Sequence, residues 1–415
     1  MSGEVDGTGQ ERYTVPSHVP LELVHPFDFV HAPGIEQQPF ATVEQYRHCG
    51  RVFWNPINPF FGGAWVLTRA EDLRYVLSNP KLFSNVGEAE HSRSEDAEVE
   101  LIPLEYDPPE HTRIRHLLNP ILSPPAVHKL GEGIRAHASA LIDVLVPQGK
   151  CEFVDSFAVP LPVSVFLQLM GLPQGDAPMA LGWKSAILHV GEHVTDNAVA
   201  DAASHAVIAY LDGHAAARRA NPREDFISHV ANAQVAGQRL QDREVRGILY
   251  LMLLAGLDTV TATLGWFFHH LAAHPDQQAQ LRADPSLVPQ AVEEMMRLYS
   301  ITVAHRKCLQ DVEVAGVAMK KGDWISICAP FGSMDPEEFP DPDRYNLARG
   351  LVRHFGFGFG PHICAGAHLA RLELTIALEE WLARVPPWRF ARGPEMNAYT
   401  GTSFGLHNLH LAWDA

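Results

Sequence analysis

The spacing of apolar residues changes twice along the chain. Through about residue 108, short apolar runs at Arg51–Trp54 and Ala64–Thr68 lie between turn residues and read as strands. From Pro109 to Arg297 the apolar positions recur every three or four residues, which predicts helices over Glu110–Leu118, Val127–Val146, Val163–Met170, Asp201–Arg219, Asp242–His274 and Val288–Leu298. After Arg306 strand alternation returns over Val312–Ala329, with a turn at Lys320-Lys321-Gly322-Asp323. A meander rich in Pro and Asp, Asp335–Arg349, leads to one more helix, Ala365–Arg384, and a β-rich tail. The fold class is therefore α+β, mainly α with smaller β regions. No linker or repeat divides the chain, so a flexible segment over residues 1–25 and a single domain over 26–415 are expected.

The longest apolar run falls inside Asp242–His274, but Asp258, Thr259, Thr261 and Thr263 sit in its middle. An aspartate at the centre of a bilayer costs roughly 2.5 to 3.5 kcal/mol. A helix through the core of a large protein accounts better for the run. Composition agrees: 46% of residues are hydrophobic and 20% charged, enough to bury a large core. The net charge, 32 basic against 49 acidic residues or −17, works against nucleic acid and anionic lipid as partners. Only Gly87–Glu100 is strongly acidic locally, and it reads as a solvated loop or short helix. Residues 1–20 lack a basic start followed by an apolar stretch, so neither signal peptide nor membrane anchor is expected and the cytoplasm is the expected compartment.

Five cysteines, at 49, 151, 308, 328 and 364, are odd in number and lack CxxC spacing, which excludes a disulfide framework or zinc knuckle as the organising chemistry. A cysteine in apolar surroundings is ordinarily inert, but the neighbours of Cys364 are unusual. Glycines at 356, 358 and 360 let the backbone bend closely around a ligand, and Gly366 opens a helix whose first amides would favour a thiolate. A thiolate with no second ligand at metal spacing suits one axial bond to a haem iron. Phe357 is placed to cover the sulfur and His362 to meet a haem propionate.

The run Phe357-x-x-Gly360-x-His362-x-Cys364-x-Gly366 resembles the haem-binding loop of the cytochromes P450. Further motifs follow in the family's order, and the resemblance extends from about Pro26 to Trp413. Within the superfamily the chain is most similar to the soluble bacterial camphor hydroxylase family, through Gly256-Leu257-Asp258-Thr259-Val260, Asp107-Pro108-Pro109-Glu110, residues 230–235 and Lys320-Lys321-Gly322-Asp323. The resemblance implies the P450 fold, with haem b (iron protoporphyrin IX) between the long central helix and the Cys364 loop. It implies that Glu294, Arg297 and Arg344 form a cluster supporting that loop. His111, Arg115 and Arg306 would bind propionates, and Asp258 and Thr259 would deliver protons. Val99, Leu251, Leu254, Ala255, Thr302, Val303, Ser403 and Phe404 would line the substrate pocket.

Three positions depart from the camphor-hydroxylase pattern: Val99 replaces a tyrosine, Ala304 an aspartate, and a residue near His189 the arginine that pairs with the acid at 258. The implied activity is O2-dependent hydroxylation of a compact apolar substrate, a terpenoid or norisoprenoid. Electrons would come from a small acidic [2Fe–2S] ferredoxin with a separate reductase, docking on Arg115, Arg349, Arg353 or Arg113. A haem-thiolate peroxygenase would usually lack the acid and alcohol at 258 and 259. A non-enzymatic haem sensor would need no large apolar cavity.

Overall fold

The computed structural model describes residues 13–88, 99–188, 197–235, 237–350, 353–393 and 396–414. They fold into two compact units whose segments alternate along the sequence, so the domain expected over 26–415 runs through both. The first unit takes residues 1–88, 293–364 and 395–407, and the second takes 89–292, 365–394 and 408–415.

The first unit is built on a five-stranded sheet. Val52–Asn55 pairs antiparallel with Ala64–Leu67, which lies parallel to Trp324–Cys328; that strand pairs antiparallel with Val303–Cys308, and Phe83–Ser84 closes the edge. Val52–Asn55 and Ala64–Leu67 are buried along their whole length, which explains why their sequences are apolar runs rather than alternating ones. The chain expected to be flexible is in part anchored here. His18 lies 2.8 Å from the Asp323 carboxylate, Val19 is buried, and the His25 amide donates to Trp54 O. The remaining part of that expectation, residues 1–12, lies outside the described residues.

The second unit is helical, with a small sheet of Trp388–Phe390, His410–Trp413 and Lys150–Glu152 at its edge. Two helices have the expected bounds, Glu110–Leu118 and Val288–Leu298. The expected Val127–Val146 divides into Pro124–His128 and Gly131–Leu145, and the second helix opens on two glycines. One of these, Gly133, lets the side chain of Gln168 close in to where a Cβ would stand, at 2.3 Å. Three further helices had no strong period to betray them, Pro39–Gln45, Ala177–Leu188 and Pro275–Ala283, whereas Ala70–Ser78, also not expected, buries Leu73, Val76 and Leu77 at helical spacing. The helix Ala70–Ser78 is anchored through the Ala70 amide by Asp335, 265 positions away, a cap no local reading can find.

The long helix runs Asp242–Ala273 and begins with a capping box between Gln241 and Glu244. It is long and apolar enough to cross a membrane, yet 67% of its most apolar window is buried inside the structure. Toward its end Phe268 stacks on Phe153 at 4.2 Å and meets Trp381 edge-on at 5.2 Å, forming an aromatic core.

Two histidines of this end, His269 and His270, are pushed down to about 4, first by burial. The His269 Nε2 has no hydrogen-bond partner among the described residues, whereas His270 Nε2 meets Gln277 Oε1 at 2.6 Å. Between pH 6.5 and 4 the unfolded chain therefore binds protons that the folded chain refuses, and stability falls as pH drops through that window. Glu373 carries the opposite sign: complete burial raises its pKa, so its contribution weakens as pH rises above the usual carboxylate range. Replacing His269 with Leu should reduce the stability lost between pH 7 and 5 by up to about 2 kcal/mol, read from urea midpoints at the two pH values.

Candidate active site

In the first unit the Cys364 loop is built by short-range bonds. The Cys364 amide donates to Phe357 O at 2.9 Å, and the Gly358 amide to Phe355 O at 2.9 Å. Gly358 and Gly360 have φ of +69° and +71°, a region L side chains avoid. A Cβ on Gly360 would also stand 2.1 Å from Leu77 O, so glycine is required there on two counts. The root of the loop is pinned by His354 and Ser333. The Gly356 amide donates to His354 Nδ1 at 3.1 Å, which leaves the proton on Nε2, 3.4 Å from Glu293 Oε2. The Phe355 amide donates to Ser333 Oγ at 2.9 Å. Cys364 itself is exposed. Burial raises the other four thiols, Cys151 and Cys308 to about 12, so none competes as a ready thiolate.

Behind the loop lies a buried ion cluster. Arg297, with no exposed side-chain surface, donates from Nε and Nη2 to Glu294 at 2.9 and 2.8 Å. It also donates to the carbonyls of Ser333, Pro342 and Arg344. The second arginine of the cluster is Arg349, not Arg344. Arg349 Nε lies 3.2 Å from Glu294 Oε1 and its side chain is 9% exposed, whereas Arg344 supplies only its backbone carbonyl and points its side chain to solvent. The meander turns between them, so the arginine five residues later reaches the carboxylate. This also removes Arg349 from the surface cations available for docking. Arg306 is buried on its strand, while Phe357 and His362 are half-buried. Thr302 and Ser403 form a β-bridge and are half-buried, Val303 is buried, and Phe404 is fully buried edge-on to Phe40.

In the second unit the long helix is buried at Leu253, Leu254, Leu257 and Val260, yet Ala255 is exposed and Gly256, Asp258 and Thr259 are half-buried. A Cβ on Gly256 would meet no described atom within 4 Å. Thr259 Oγ1 donates to Ala255 O at 2.9 Å, back along the helix. Asp258 Oδ1 lies 3.4 Å from the ammonium of Lys184, whose side chain is 5% exposed. The residue near His189 expected to face Asp258 lies outside the described residues, so Lys184 is the cation the sequence did not reveal. His111 is buried and Arg115 half-buried one turn on, with Arg115 Nε donating to Asn119 Oδ1 at 3.0 Å. Arg113 is tied to both Glu110 and Glu244. Val99 is buried in the apolar cluster with Leu101, Ile102 and Ile248, Leu254 is buried in the same cluster, and Leu251 packs against it.

These features fit a haem. The first unit offers an accessible soft ligand in a glycine-shaped loop and the buried guanidinium of Arg306, and the second offers the buried His111 and a helix face open beside a glycine.

The sequence model of the family described as Cytochrome P450 matches residues 189–385. A probable cytochrome P450 127A1 of Sinorhizobium fredii is 39% identical over 96% of this chain and 97% of its own length. The chain belongs to the cytochrome P450 family. Cytochrome P450-terp of a Pseudomonas species is 29% identical, covering 93% of this chain and 95% of its own. Among solved structures, the P450 CYP101C1 superposes with a TM-score of 0.88 at 31% identity, covering 97% of this chain and 100% of that one.

The correction within the Glu294 cluster is open to test. Arg349→Leu leaves part of a buried carboxylate uncompensated and should cost roughly 3 kcal/mol in urea denaturation. Arg344→Leu should change stability by no more than about 0.5 kcal/mol. Equal losses in the two variants would contradict the assignment.

Proposed function

We propose that this P450 monooxygenase takes electrons from a [2Fe–2S] ferredoxin and hydroxylates a compact apolar substrate, a terpenoid or norisoprenoid. When bound, haem supplies reductive activation of O2 and insertion of one oxygen atom into a C–H bond. Cys364 would be its thiolate ligand, His111, Arg115, Arg306 and His362 would hold its propionates, and Phe357 would shield the sulfur. The observation that carries the reading is the open face of an otherwise buried helix, with an acid and an alcohol beside a glycine. Thr259 spends its hydroxyl hydrogen on Ala255 O, so its oxygen lone pairs are left to accept from a proton donor on the open side. Asp258 is held by Lys184 and can exchange a proton with water arriving at that side. Such a relay argues for O2-dependent turnover over a peroxygenase, and a sensor would need no relay.

The side chains assigned to the pocket are mostly aliphatic, with hydroxyls at Thr302 and Ser403 and no charge among them. That chemistry favours a neutral terpenoid with at most one or two polar groups. Titration with terpenoids, norisoprenoids, fatty acids and a macrolide should shift the Soret band to the blue only with the first two. A shift confined to the fatty acid or the macrolide would refute the substrate class.

Cys364→His should abolish the thiolate-type spectrum of the reduced carbon monoxide complex, whereas Cys→Ser at 49, 151, 308 or 328 should keep it. Thr259→Ala should go on consuming reductant while releasing hydrogen peroxide in place of product, and Asp258→Asn should slow turnover by roughly 10²-fold. A Thr259→Ala enzyme that forms product in full proportion to reductant would remove the hydroxyl from the mechanism.

For the ferredoxin, Arg353 is the exposed cation that remains from those proposed, since Arg349 and Arg113 are engaged with carboxylates of this chain. Electron transfer should weaken with salt, as the Debye length shrinks from roughly 10 Å at 0.1 M to about 3 Å at 1 M. Arg353→Glu should raise the ferredoxin concentration needed for half-maximal rate. Rates insensitive to both salt and charge reversal would rule out this docking mode.

A further inference from the structure

Arg306 has a carboxylate partner inside the first unit. Its Nη1 lies 3.2 Å from Glu88 Oε2, with the two side chains 5% and 9% exposed. The other oxygen, Glu88 Oε1, accepts the His305 amide at 2.8 Å, and Asn85 Nδ2 donates to Oε2 at 2.6 Å. The sheet explains this arrangement. The edge strand Phe83–Ser84 pairs with Cys308 and Lys307 and then stops, so the His305 amide is left without a strand partner on that side. Glu88 supplies the missing acceptor.

A carboxylate this deeply buried and held by three donors is best satisfied as the anion. Its anchor to a backbone amide of the central sheet does not depend on Arg306, so the charge stays in place whatever Arg306 binds. The sequence at 304 is alanine, so the strand carries no acid of its own beside this site.

We propose that Glu88 sets the charge of the haem-carboxylate site: it is the counter-ion of Arg306 and remains a fixed negative charge beside it in the loaded enzyme. The proposal rests on the reading of Arg306 as a propionate-binding residue. Two consequences follow from electrostatics alone. A propionate meets a half-neutralised arginine, which weakens its hold, and a nearby negative charge stabilises the ferric over the ferrous state, which lowers the reduction potential. Glu88 acts through Arg306 and is a positioning residue, not a catalytic one.

The test uses the haem-loaded, substrate-free protein, with two readouts: the midpoint potential by spectroelectrochemistry and the rate of haem transfer to excess apomyoglobin. Glu88→Gln keeps an amide oxygen for the His305 amide while removing the charge. It should raise the potential and slow haem release severalfold. Asn85→Ala removes a donor from the carboxylate and concentrates its charge on Arg306, so it should move the potential the other way, which decides the matter if Glu88→Gln fails to load. Arg306→Leu is the control and should speed haem release. If it does, and neither Glu88→Gln nor Asn85→Ala moves the potential in its expected direction, the proposal is overturned while the reading of Arg306 stands. If Arg306→Leu leaves haem release unchanged, the reading of Arg306 fails and the proposal fails with it.

Discussion

The carboxylate of Glu294 and the guanidinium of Arg297 are almost wholly withdrawn from water, and much of the first unit depends on their pairing. Neither charge could be buried alone, because the desolvation penalty of an isolated ion is several kcal/mol. Together they satisfy one another and still have donors and acceptors to spare. Those go to Ser333, Pro342, Arg344, Asn346 and Arg349, so one pair fixes both the turn at Ser333 and the course of the meander. Ser333 in turn holds the Phe355 amide at the root of the Cys364 loop. A net stabilising energy is not required of such a pair. Its effect is to make one path of an irregular chain far better than any other, as a loop presenting a single cysteine requires.

Features whose physics is local could be read from the sequence. The helices Glu110–Leu118 and Val288–Leu298, the apolar strands Val52–Asn55 and Ala64–Leu67, and the glycines of the Cys364 loop each follow from apolar pattern or from backbone freedom within a few residues. What escaped depends on distance along the chain. The cap of the Ala70 amide comes from Asp335, Arg349 replaces Arg344 because of how the meander turns, and Lys184 reaches Asp258 from another helix. Lys184 did leave one trace, since a lysine amid the apolar Ala177–Leu188 has to find a carboxylate if it is buried. His354 could have been suspected on similar grounds, as a histidine two residues before a loop glycine can serve as an N-cap.

The long helix answers two opposed demands. Stability asks that a helix this apolar be buried on every side, and at Leu253, Leu257 and Val260 it is. The proposed function asks that one turn remain open and polar, which costs about 1 kcal/mol for Gly256 relative to alanine and more for a half-buried Asp258. The chain contains that cost within one turn. Lys184 compensates the acid, the Thr259 hydroxyl bonds back to Ala255 O, and Thr261 and Thr263 likewise return their hydroxyls to the carbonyls of Leu257 and Thr259. Thr259 and Thr263 thus spend their hydrogens on the helix itself, while Thr261 shares its hydrogen with Ala158 O. Among them Thr259 shares its turn with the exposed Ala255 and the half-buried Asp258. The relay proposed for Asp258 and Thr259 would need no movement of the backbone, only an acid that can exchange its proton and an alcohol whose hydrogen is already committed.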